Sequence, residues 1–327
     1  MSSAANTANT ANSAANARTS SAEATAGSAA RRAPRRRPGS LTHPSRTGLA
    51  LVTPAVLFVV VFVFAPLVVA VYISLTDFPL IGDYDFVGFR NYSLAWSDRV
   101  FNEALFYTLL YTAIVTLPIL VLGYTLAVVV RANRRGSTLL RTIFFLPYIV
   151  GLTTISFLTL LEAQPGSGAV NVVLETLGIT DGTTAWLVDG PLATGLIIVM
   201  VIWAVSGLTM VLLMSGMQAI PREIYESAEL DGAGWWRTER HITIPMLRRS
   251  IALSLVISVI GSLLAFTQFY ILTQGGPGSE TTTVVMAIYR RAFVDLQLGV
   301  STAMSLILVL IIAVIAAVQF WLLREKD

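Results

Sequence analysis

The sequence predicts an all-α integral membrane protein with six transmembrane helices and both termini in the cytoplasm. Three observations lead there. The 327 residues are 55% hydrophobic and only 13% charged, with a mean hydropathy of +0.72; a soluble domain carries about 25% charged residues. Six apolar runs, at 49–75, 105–130, 139–161, 192–217, 250–272 and 300–323, reach the roughly 20 residues that a helix needs to cross a bilayer core. The basic residues fall on alternate sides of those runs, 18 of the 22 on one face.

Taken in order, residues 1–48 are rich in Ala, Ser, Thr and Asn and hold seven arginines. With so few large apolar side chains this segment reads as a disordered, cytoplasmic, topology-anchoring tail, and 49–327 as the membrane domain. The first run is far longer than the 7–15 residues of a signal-peptide core, and no small-x-small site follows it, so an uncleaved span is expected. The loop after the second run carries Arg131, Arg134, Arg135 and Arg141, and the one after the fourth carries Arg222, Arg237, Arg240, Arg248 and Arg249. Arg324 and Lys326 close the chain, whereas the opposite loops hold only Arg90, Arg99, Arg290 and Arg291. By the positive-inside rule this is an N-in, C-in topology. The loops at 76–104 and 162–191 and the Gly275-Gly276-Pro277-Gly278 run combine glycines and interfacial aromatics, which suits short re-entrant or surface-lying pieces, or plain aromatic-belt anchoring.

Composition also excludes chemistry. There is no cysteine, hence no disulfide frame or thiolate metal site, and the two histidines, His43 and His241, lie outside the apolar runs. Ser206-Gly207 superficially suggests a serine nucleophile, but no intramembrane His or Lys stands ready to activate it. No carboxylate lies deep in a span, which disfavours a proton- or sodium-coupled carrier. An enzyme and a secondary transporter are therefore the weaker readings; no catalytic residue, metal or nucleic-acid partner is expected.

The loop between spans four and five is the most informative stretch. Pro221 suits a first helical position, and Glu223 and Glu226 complement a helix dipole. Ile224, Tyr225 and Ala228 share one side, and Asp231-Gly232 ends the helix because glycine accepts left-handed dihedrals. A second helical piece follows, with Trp235, Trp236, Ile242 and Ile244 placed to pin it at the membrane interface and Pro245 turning into span five. Spacing alone leaves an ordinary interfacial hairpin open.

The residues go further. Glu226 to Pro245 resembles the signature of ABC importer permeases, E-A-A-x-x-D-G-A followed by aromatic-x-x-I-x-L-P, matching at Glu226, Ala228, Asp231, Gly232, Ala233, Ile242 and Pro245. It departs at Ser227, at Ile244 and at Glu239, where the family usually has an aromatic; Trp235 or Trp236 is the expected substitute in that pocket. Gln218-Ala219-Ile220-Pro221 before Tyr225, Leu146-Pro147-Tyr148, Trp203, Leu272-Thr273-x-Gly275-Gly276-Pro277, Tyr289 and Ala292-Phe293 are similar to carbohydrate permeases of the maltose and glycerol-phosphate type, from about residue 49 onward. The resemblance implies a bacterial plasma-membrane importer with a second permease subunit, a cytoplasmic ABC ATPase dimer and an extracytoplasmic solute-binding protein. Tyr225 to Pro245 would then include the coupling helix. No Walker A motif is present, so ATP and Mg are expected on the partner ATPase and no cofactor on this chain.

Hydroxyl-bearing and aromatic groups within the spans are the candidates for a substrate path. Ser254, Ser258 and Ser262 recur every four residues and so form one stripe; Gln268 lies further along. Trp203 and Ser206 stand one turn apart, and Tyr148 follows a proline. Small hydroxyl residues at this spacing equally let membrane helices pack closely. At Tyr148, Ser258 and Ser262 the resemblance adds the expectation of ligand contact. Neutral walls favour a saccharide, with glycerophosphodiester, polyol or amino-sugar cargo as alternatives.

Overall fold

The computed structural model describes residues 45–79, 82–131 and 136–323. The predicted tail at 1–48 therefore falls almost wholly outside the described residues, as do Arg134, Arg135, Arg324 and Lys326. The chain divides into two compact units, 1–64 and 65–327. In the first, α1 (Ser45–Val59) continues into a π-helical turn at Val60–Phe64.

The second unit is helical throughout. It contains α2 (Ala65–Ser74), α3 (Arg90–Ser97), α4 (Arg99–Arg131), α5 (Ser137–Val150), α6 (Leu152–Glu162), α7 (Ala169–Thr176) and α8 (Gly190–Gln218). Then follow α9 (Arg222–Leu230), α10 (Trp235–Thr238), a π turn at Glu239–Thr243, α11 (Ile244–Met246), α12 (Arg248–Leu263), α13 (Thr267–Leu272), α14 (Val284–Phe293) and α15 (Leu298–Leu323). Among the described residues, extended pairing is limited to the isolated bridges Thr76–Phe86 and Pro79–Gln297.

Five helical runs are long and apolar enough to cross a membrane: Leu51–Ser74, Arg99–Arg131, Gly190–Gln218, Arg248–Leu272 and Leu298–Leu322. The predicted third span is different. It is two helices, α5 and α6, meeting at 96°. Gly151 makes the corner with φ of +89°, a dihedral that costs a side-chain-bearing residue dearly. Its N–H closes the last turn of α5 on the Pro147 carbonyl at 3.2 Å. Hydropathy measures apolar length and is blind to direction, so the corner is hidden in an unbroken greasy run.

The core forms around α4 and α8. At one level Tyr111, Ile119, Ile197, Met200 and Phe269 are buried together; at another, Ala127, Val130, Met210, Leu213, Met217 and Leu247. Gly207 brings α8 onto α5 so closely that a Cβ there would collide with the Phe144 carbonyl. Such contacts through small residues are how helices associate where lipid supplies no hydrophobic drive. Buried hydroxyls return their protons to carbonyls one turn back, as Thr108 does to Ala104 and Thr116 to Thr112, each at 2.7 Å. That satisfies groups which neither lipid nor apolar core could solvate.

The segments at 76–104 and 162–191 carry short helices, α3 and α7. Asn171 is buried, donates to the Gln164 and Thr184 carbonyls, and accepts from the Trp186 indole at 2.9 Å. Asp98 caps α4 by accepting from Phe101 N–H at 3.0 Å and is ion-paired with Arg291.

Candidate functional site

Two places gather the residues singled out by the sequence. The first is the loop from α9 to α11. α9 begins at Arg222, one residue after Pro221, which takes the capping position with φ −57° and ψ 140°. It ends as expected at Gly232, whose φ is +73°. The Gly232 N–H bonds the Glu229 carbonyl at 3.0 Å and the Ala233 N–H reaches back to Ala228 at 2.9 Å, the paired bonds of a Schellman motif. Ala228 is buried, with Ile224 and Tyr225 packed beside it on the α4–α8 core. Glu223, Glu226 and Leu230 are exposed on the opposite side, and Glu229 is exposed at its edge beside Tyr225. Thus Ala228 and Tyr225 hold the helix down, and Glu226, Asp231 and Gly232 face outward.

The second helical piece contains the main departure from expectation. Trp235 and Trp236 stay 57% and 77% exposed, packed edge to face on each other with centroids 5.0 Å apart. Neither fills the pocket left by the missing aromatic. Glu239 itself is buried, 4% exposed, and accepts a hydrogen bond from the Tyr124 hydroxyl of α4 at 2.5 Å. A π turn adds a residue to the helical repeat; here Glu239 and Thr243, at its two ends, are both buried. Arg131, the last residue of α4, donates to the Tyr225 hydroxyl at 3.1 Å, with its guanidinium 4.5 Å from the ring centre. The Tyr225 hydroxyl in turn lies 3.3 Å from that of Thr243. Ile242 is half-buried and Pro245 sits in α11, leading into α12. Sequence reasoning flagged Glu239 but missed Tyr124 and Arg131 as its neighbours; a tyrosine and an arginine at the end of a span read as interface anchors.

The second place is a cavity of about 190 Å³ between α4, α5, α8 and α12. Tyr148, Ser258 and Ser262, three of the residues singled out in the sequence, line it together, and Gln268 joins them. Tyr111 lines it too, and was missed because an aromatic inside an apolar run reads as core. The Tyr111 hydroxyl is buried beside the Gln268 side chain, and that of Ser254, one turn from Ser258, is buried without a hydrogen-bond partner; a buried orphan donor is a rarity that calls for a reason. Ser262 donates to the Ser258 carbonyl at 2.8 Å. Trp203 and Ser206 do not line this cavity: Trp203 is 47% exposed, and Ser206 is buried and bonded to the Trp203 carbonyl at 3.2 Å. No cluster able to hold a metal occurs among the described residues.

These features define a multi-span membrane permease with a folded helical loop on one face. The chain belongs to the family of binding-protein-dependent transport system inner membrane components, whose profile matches residues 106–326. It is thus a transport subunit and not an enzyme. It is 32% identical to a probable ABC transporter permease protein of Pyrococcus horikoshii over 84% of this chain and 94% of that one. It is 31% identical to the diacetylchitobiose uptake system permease NgcF of Streptomyces coelicolor, over 88% and 84% respectively. Among solved structures, a bacterial alginate ABC transporter in complex with an alginate pentasaccharide-bound periplasmic protein has the same fold. Its TM-score is 0.75 at 21% identity, with 86% of this chain and 94% of that one covered.

Proposed function

We propose that this chain is one of two permease subunits of an ATP-driven saccharide importer, fed by an extracytoplasmic binding protein and coupled to a separate ATPase dimer. The observation that carries the reading is α9: a short helix closed at Gly232, its apolar side seated on the core and its acidic side free. In this reading Glu226, Asp231, Gly232 and Ala233 contact the ATPase. Tyr225, Ala228, Ile242 and Pro245 keep the helix and the second helical piece in place. Both termini then lie in the cytoplasm, on the side of this loop, in keeping with the arginine distribution. ATP and Mg are used by the partner; this chain binds no cofactor.

Tyr148, Ser258 and Ser262, with Tyr111 and Gln268, form this subunit's wall of the substrate path. Hydroxyl and amide groups beside aromatic rings suit a sugar's mix of polar edge and apolar face. At about 190 Å³ the cavity is smaller than the roughly 300–1,000 Å³ of complete ligand pockets, which fits one wall of a path shared with a second permease. The diacetylchitobiose and alginate systems to which this chain is similar favour a saccharide, amino sugars included, over glycerophosphodiester or polyol cargo. The test is uptake of a labelled panel of these compounds in a strain lacking the chain, with and without a restoring copy and with and without ATP depletion. Restored, ATP-dependent uptake of one saccharide supports the proposal; restored uptake that survives ATP depletion overturns it.

A further inference from the structure

The loop carrying α9 joins α8 to α12 in sequence, yet two of its side-chain hydrogen bonds run to α4. The Tyr124 and Arg131 side chains both belong to the last two turns of α4, and each holds a different part of the loop. Arg131 grips α9 through Tyr225, where apolar packing also contributes. The second piece is held differently. A cavity of about 650 Å³, lined by Val128, Val129 and Arg131 of α4 and by Glu229, Thr238 and Glu239 of the loop, lies between the two. Beside it runs the Tyr124–Glu239 bond. A buried carboxylate is costly unless well paired, and an apolar side chain would fill the place at lower cost. Where such a group persists, the best-attested use is fixing one arrangement among several.

We infer that Tyr124 and Glu239 are positioning residues: their hydrogen bond fastens the second piece of the loop to α4, so that a displacement of the loop reaches the membrane through α4. This rests on the reading of the loop as the contact for an ATPase. A displacement applied at α9 would pass to α4 at two points, Arg131 and Tyr124, about two turns apart on one helix. With both engaged the loop cannot swing about either one. With Glu239 released, the second piece is free to yield into the cavity and the push is absorbed there.

The test uses the assembled transporter in proteoliposomes, with Tyr124→Phe, Glu239→Leu and Glu239→Gln. The first two delete the bond; the third keeps an oxygen that accepts from Tyr124. Expected is a loss of about tenfold in solute moved per ATP hydrolysed for Tyr124→Phe and Glu239→Leu, with assembly and basal hydrolysis retained, and recovery in Glu239→Gln. Transport, hydrolysis and assembly falling in proportion would mean a merely structural bond and overturn the inference, as would an unchanged ratio. A second measurement does not depend on the ATPase. The chain has no cysteine, so spin labels at Val129→Cys and Thr238→Cys report the distance across the cavity. A narrow distribution that broadens on adding Tyr124→Phe supports the fastening; one that stays narrow refutes it. Wild-type transporter that shows no ATP-driven uptake would instead sink the transport reading, leaving the distance result to decide the bond.

Discussion

Thr108 of α4 accepts the backbone N–H of Val284 at 2.9 Å, across 176 residues of chain. Val284 is the first residue of α14, so this bond satisfies a donor that no helical turn supplies. The same hydroxyl donates to Ala104, leaving it no freedom to serve elsewhere. Thr108→Val keeps the shape and strands the Val284 N–H in the core, at a cost of about 1–3 kcal/mol. Purified in detergent, Thr108→Val is expected to unfold at a lower temperature than wild type, and Thr108→Ser to stay close to it. Equal midpoints for Val and Ser would show that the bond carries no weight.

Gly207 separates the effect of volume from that of conformation. Its dihedrals are those of a helix, but a Cβ would strike the Phe144 carbonyl and the Phe145 backbone, neither of which can rotate away. Gly207→Leu is expected to prevent accumulation of the chain in membranes. Gly195→Leu, on the same helix with open space where its Cβ would be, is expected to accumulate normally. Immunoblotting of membrane fractions distinguishes the two.

Gly232 poses the opposite case. A Cβ there meets nothing within 4 Å, but φ is +73°, which costs an ordinary residue roughly 1–2 kcal/mol. Gly232→Trp is therefore expected to insert and fold while abolishing both uptake and capture of the ATPase subunit. Gly232→Asn, tolerant of left-handed dihedrals, is expected to retain most uptake. Full uptake by the Trp variant would remove this turn from the proposed interface.

The cavity gives a fourth expectation. Tyr111→Phe and Gln268→Leu change polarity with little change of volume, and each should raise the KM of uptake several-fold with normal amounts of chain in the membrane. Ser206→Ala, away from the cavity, should leave KM unchanged. A KM that responds to Ser206 and ignores Tyr111 would place the path on another face of α8.

Much of this architecture was legible in the residues. Spans announce themselves because length and apolarity are the property the bilayer demands, and the end of α9 because only glycine takes φ of +73° cheaply. A hydroxyl in a greasy run stands out, but the resemblance to carbohydrate permeases is what sets Tyr148, Ser258 and Ser262 apart from residues that merely pack, and these three line the cavity. Tyr111 was not singled out, since its ring is indistinguishable from core packing until the fold places it in the cavity wall beside Gln268. Glu239 stood out as a departure, yet its partner lies 115 residues away, and no local spacing points to Tyr124. The two tryptophans offered a plausible substitute for the missing aromatic, but the π turn carries Glu239 inward instead.

The contact at Gly207 also limits how the bundle can move. Side chains that interdigitate can hop between rotamers and let one helix slide on another by an ångström or two, the basis of shear motion. Where α8 meets α5 there is bare backbone against a carbonyl, and a slide of that size would drive the two main chains into each other. Shear along this seam is therefore closed off. Under the proposed function, this contact favours a switch that carries α5 and α8 together as one plate, with the relative motion at its borders.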